Sequence, residues 1–204
     1  MESVPADRPA LIREALRLES LTVGWMLIEA AVALGTGIAA RSLTLIAFGA
    51  DSVIELLSAC VLLWRLNVEL RRGEKFSDET ERRAANIAGA LLIGLTAYVV
   101  ISSGWSFWRG EGQDFSLVGL VLGVLAIPTM YVLAKAKGRL AAQLGSGALR
   151  ADAAESVACG YLSAIVVVGL TAQWLIGAWW IDGVSALALV PFLIGEAKEA
   201  WEAE

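Results

Sequence analysis

Two stretches of this chain place donor side chains at matching positions inside otherwise apolar segments. The first reads Leu45-Ile46-Ala47-Phe48-Gly49-Ala50-Asp51-Ser52-Val53-Ile54-Glu55. The second reads Leu149-Arg150-Ala151-Asp152-Ala153-Ala154-Glu155-Ser156-Val157-Ala158-Cys159. Laid in register, Asp51 matches Glu155, Ser52 matches Ser156, Val53 matches Val157 and Glu55 matches Cys159. Residues four apart stack on one face of a helix, so each stretch offers two oxygen or sulfur donors one turn apart. A carboxylate at the centre of a bilayer costs roughly 2.5–3.5 kcal/mol on insertion scales, and several of them call for a reason. Two helices that each present a donor pair supply one. Asp51, Glu55, Glu155 and Cys159 read as the two halves of a metal site.

The remaining acidic residues and cysteines carry weaker signals. Glu29 sits in the middle of the first apolar segment, where proton relay and polar helix packing are both open to it. Asp152, beside Arg150, fits a first-turn charge favoured by the helix dipole or an attractor at an inner entrance. Asp182 reads as the N-cap of the last helix. Cys60 lies five residues beyond Glu55, about 140° around the helix from the donor face, which makes it a core residue. Gly35, Gly37, Gly89, Gly94, Gly119 and Gly123 suit close helix packing.

These donors need elements that cross a bilayer, and the composition supplies them. Hydrophobic residues make up 57% of the 204-residue chain, too many for an ordinary soluble domain. That length holds about six spans of roughly 20 residues and little else, so residues 1–204 read as one transmembrane domain. The spans fall near 21–40, 42–66, 84–108, 115–134, 148–175 and 179–200. The expected fold is all-α, a six-helix transmembrane bundle.

The basic residues cluster in the N-terminal segment and in the connections 67–83 and 135–147, while only Arg41 and Arg109 fall at the opposite ends. The positive-inside rule then places both termini in the cytoplasm. Trp105, Trp108, Trp174, Trp179 and Trp180 belong to an outer aromatic belt and Trp64 and Trp201 to an inner one, whereas Trp25 reads as a filler of helix contacts. No basic stretch interleaved with aromatics exists, so nucleic acid is not an expected partner. Cys60 and Cys159 make no disulfide framework. The first apolar run lacks a small-residue cleavage site and reads as a retained helix.

With these residues in view, the chain resembles the transmembrane domain of the cation diffusion facilitator family of divalent-metal exporters. The likeness rests on residues 42–55, on Leu149-Arg150-Ala151-Asp152-Ala153-Ala154-Glu155-Ser156 and on Asp182-Gly183 at the start of the last helix. It implies a proton-coupled efflux transporter, not an enzyme, in a membrane such as the bacterial inner membrane. The transported substrate would be Zn2+ or a similar divalent cation, with cadmium or another soft ion open to it through Cys159. No prosthetic group is implied, and the partners are the metal ion, protons, the lipid bilayer and a second copy in a homodimer.

Departures from the family pattern are equally specific. Zinc-transporting members usually carry aspartate or histidine donors here. Glu55 is a longer carboxylate, Glu155 stands where histidine is usual, and Cys159 stands where aspartate is usual. The chain has no histidine. Residue 204 falls about where the sixth helix ends, so the family's soluble C-terminal domain is not expected. Two other readings compete. A non-transporting partner subunit would keep the fold with a degraded site. An intramembrane hydrolase would need two midplane aspartates sharing a proton, and Asp51 has no such neighbour.

Overall fold

The computed structural model describes residues 8–72, 78–110 and 112–202. It is all-α, with helices α1 (Arg8–Ala40), α2 (Leu43–Arg72), α3 (Asp78–Arg109), α4 (Leu117–Leu144), α5 (Gly147–Ile176) and α6 (Ile181–Glu202). Five of them, α1 to α5, are long and apolar enough to cross a membrane. The shorter α6 packs along α3 and also touches α5 and α2. Helices α1 and α2 pair, as do α4 and α5, and α1 joins the two pairs through α4. Helix α2 reaches α5, α6 and α3, so its buried face meets most of the bundle.

At the weakly basic end the helices stop within about two residues of the apolar segments. At the basic end they run on. The connection expected over 135–147 is largely helix: α4 continues to Leu144 and ends on Gly145, whose φ of 63° only glycine adopts freely and whose N–H donates to the Ala141 carbonyl. Ser146 then caps α5 by accepting from the Leu149 N–H at 3.3 Å. Loss of apolar character does not mark the end of the helix. A second apolar cluster, including Ile12, Ala15, Leu62, Leu66, Leu140 and Leu149, holds these extended ends together. Arg8 adds to it, donating to Glu69 Oε1 at 2.7 Å and to the Leu144 carbonyl.

The α1–α2 turn sets the placement of the first donor pair. Arg41 takes a left-handed φ of 54°, and Ser42 N–H donates back to the Gly37 carbonyl at 2.9 Å. The two helices cross very closely: a Cβ on Gly37 would lie 2.9 Å from the Ile46 nitrogen, and one on Gly49 2.9 Å from the Leu34 nitrogen. Among the other glycines, Gly119 and Gly123 also meet neighbouring side chains, whereas Gly35 and Gly94 face open space.

Asp182 does not cap its own helix. It lies in the first turn of α6, and its carboxylate accepts from Ser42 Oγ (2.8 Å), Leu43 N (2.6 Å) and Thr44 N (3.1 Å). It therefore caps α2 from across the bundle, beside Ser42, whose own hydroxyl accepts from Leu45 N. Unsatisfied N–H groups at a helix start attract a carboxylate whatever its position in the chain.

The tryptophans expected in the belts are exposed where described: Trp64, Trp105, Trp108, Trp174, Trp179 and Trp180. Arg109 also stacks on the Trp105 ring at 4.9 Å. Lys75 lies outside the described residues, as do the side chains of Arg82, Arg83 and Trp201. Cys60 is exposed, not core. Its turn away from the donor face leads to the outer surface of the bundle.

Candidate metal site

Helix α2 carries Asp51, Ser52 and Glu55 on its buried side, with Asp51 and Ser52 fully covered and Glu55 nearly so. Asp51 and Glu55 meet a third carboxylate, Glu196 of α6, and oxygens of all three lie within 4.8 Å of one another. Neither Asp51 oxygen has a hydrogen-bond partner, nor does Glu55 Oε1. Buried polar atoms are ordinarily paired, and orphaned carboxylate oxygens in a dry interior are among the costliest exceptions. A divalent cation in their midst would satisfy these lone pairs. The donor chemistry fits one.

The two α5 donors stand apart from this trio in different ways. Cys159 is fully buried and donates its thiol to Glu29 Oε1 at 3.4 Å. Glu155 is only partly buried and is not one of the three grouped carboxylates. Thus Asp51 and Glu55 meet as the register implies, while Cys159 is linked to α2 through Glu29, which also holds Ser52.

Glu29 fastens these helices together. Its Oε1 accepts from Ser52 Oγ (2.9 Å) as well as from Cys159, and its Oε2 accepts from Trp25 Nε1 (2.7 Å). A single carboxylate of α1 so ties α2 and α5 at the depth of the donors. Trp25 is therefore more than a filler, since its indole N–H completes the set. Asp152 is no free first-turn charge either: it is ion-paired with Lys137 of α4 at 2.5 Å.

Sequence reasoning missed Glu196. Residue 196 fell within four positions of the end assigned to the last span, where acidic residues ordinarily meet water. The available signal was its place directly after the apolar run 184–195, before the charged tail begins. Which face it takes depends on how α6 rotates against α2 and α5, and no sequence period records that.

Comparison with curated proteins gives no match. Comparison with family models gives one, the cation efflux transmembrane domain, over residues 21–202. That match reaches into all six helices and includes both donor stretches. With an all-helical bundle that gathers buried carboxylates between its helices, the chain belongs to the cation efflux (cation diffusion facilitator) family, whose members are membrane transporters of metal cations and not enzymes.

Proposed function

We propose that this protein exports a divalent transition metal in exchange for protons, and that Asp51, Glu55 and Glu196 hold the ion in the conformation seen here. The observation that carries this reading is the trio itself: three carboxylates within 4.8 Å, with both Asp51 oxygens buried and unpartnered. Cys159 and Glu155 of α5 complete the shell as α5 moves against α2. Binding needs ionised carboxylates, so metal and protons compete for one set of groups. When the site opens alternately to the two sides of the membrane, that competition becomes exchange. Zinc suits a mixed oxygen and sulfur shell, and the thiolate admits softer ions. The family pairs as homodimers, and we extend that arrangement to this chain.

Metal uptake into sealed vesicles carrying the purified protein tests the reading directly. Zinc, cadmium and manganese should be supplied in turn, with and without a pH gradient. Uptake that depends on the protein and quickens with an opposing proton gradient supports exchange. Vesicles with protein that take up metal no faster than empty ones would leave the non-transporting subunit as the better reading.

Glu196 favours a second reading of metal preference. Three carboxylates without histidine are a hard donor set, the kind that suits manganese. Cys159 separates the two readings. Cys159→Asp makes the shell all-oxygen and should weaken cadmium binding by about tenfold or more while manganese binding holds or improves. If cadmium, zinc and manganese affinities are all unchanged in Cys159→Asp and in Cys159→Ala, the thiol serves Glu29 alone and the site is the carboxylate trio.

A further inference from the structure

A second group of charges is buried nearer the basic end of the bundle. Lys137 of α4, 1% exposed, places Nζ 2.5 Å from Asp152 Oδ2 on α5 and 3.6 Å from Glu19 Oε2 on α1. Glu19 is fully buried, and neither of its carboxylate oxygens has a hydrogen-bond partner. Two carboxylates therefore face one ammonium. Glu19 shares that one ammonium with Asp152, and its oxygens have no hydrogen-bond partner in a place where an ionised carboxylate costs several kcal/mol unless it is fully paired.

An ammonium is a compact point charge on a flexible four-carbon stem, and it occupies the volume a small cation would take between two carboxylates. A divalent ion at the same place would balance Glu19 and Asp152 in their ionised forms, which one ammonium does not. From this cluster a line of buried polar side chains leads inward. Thr22 and Glu29 follow Glu19 on α1, and Ser156 and Cys159 follow Asp152 on α5. Asp152 and Cys159 are separated by two turns, about 10 Å of rise. The line ends at the carboxylates of α2.

The geometry points to Glu19 and Asp152 as an outlying binding site for a divalent cation, in which the Lys137 ammonium is the resident occupant that an incoming ion displaces. As a stage on the path to Asp51, the site rests on the transport reading above. As a binding site it stands without it.

Metal binding to the purified protein in lipid nanodiscs isolates this site once the deeper trio is neutralised by Asp51→Asn, Glu55→Gln and Glu196→Gln. Zn2+ and Mn2+, added separately, are the probes. In that background Lys137→Gln removes the competing positive charge and should tighten binding at least about tenfold. Adding Glu19→Gln should cancel the gain. Binding that is indifferent to Lys137→Gln, or a gain that survives Glu19→Gln, overturns the proposal.

Should Lys137→Gln fail to fold, Glu19→Gln alone carries the test, because it leaves the Lys137–Asp152 pair intact and neutral. Residual metal binding in the neutralised background should then fall about tenfold. In the otherwise wild-type chain, KM for uptake should rise by a similar factor while kcat stays within about twofold. Unchanged binding overturns the site. A wild-type chain that moves no metal, alongside a Lys137→Gln chain that binds it more tightly, removes the transport reading and leaves the site in place.

Discussion

Replacing Asp51 with alanine should stop metal uptake while the protein still inserts and folds. Asp51 is the most completely buried member of the carboxylate trio, and neither of its oxygens is engaged by another group. Its removal therefore breaks no hydrogen bond and lessens the repulsion on Glu55, so stability should hold or rise. Transport should fall by more than about 100-fold, beyond the 10–100-fold typical of losing a group that merely supports a ligand. Glu196→Gln should also cut uptake, by about tenfold or more, and Glu155→Gln by less, because Glu196 and not Glu155 joins the trio. Uptake rates and a melting midpoint measured on the same preparations check both halves. Wild-type uptake by a well-folded Asp51→Ala protein would remove the proposed site, and a deeper loss in Glu155→Gln than in Glu196→Gln would move it to α5.

Asp182→Ala should give the largest loss of stability among substitutions outside that site. The carboxylate takes hydrogen bonds from Ser42 Oγ, Leu43 N and Thr44 N, and Thr44 Oγ1 donates to the Asp182 carbonyl. Asp182 is itself buried, as are Ser42 and Thr44. Donors left unsatisfied in a buried place cost roughly 1–3 kcal/mol each, and loss of a cap alone about 1 kcal/mol. The melting midpoint should drop by several degrees in Asp182→Ala. Asp182→Asn, which keeps one acceptor and loses the charge, should recover part of it. Identical midpoints for all three proteins would show that Ser42 alone is sufficient to cap α2.

Much of the architecture was legible before any coordinate. Runs of apolar residues long enough for a bilayer fixed the number of helices and their ends at the weakly basic side, because lipid excludes unpaired backbone and leaves helix as the answer. The i, i+4 spacing of Asp51 and Glu55 put both on one face, since that depends only on local helix geometry. Helix ends in water escaped the same reasoning. Helix α4 continues through Lys135 and Lys137 because charge does not stop a helix; Gly145 does.

Contacts between helices were beyond the pattern's reach, and the sequence by itself determined only what local rules govern: six helices, a basic end, and two donor pairs each on its own helix. The tertiary structure alone decided that Glu196 joins Asp51 and Glu55, that Cys159 turns to Glu29, that Lys137 pairs with Asp152, and that Asp182 caps α2. Each of these depends on the rotation and depth of one helix against another. Close approaches such as Gly37 against Ile46 and Gly49 against Leu34 set that rotation, and they are summed over many side chains on several helices at once.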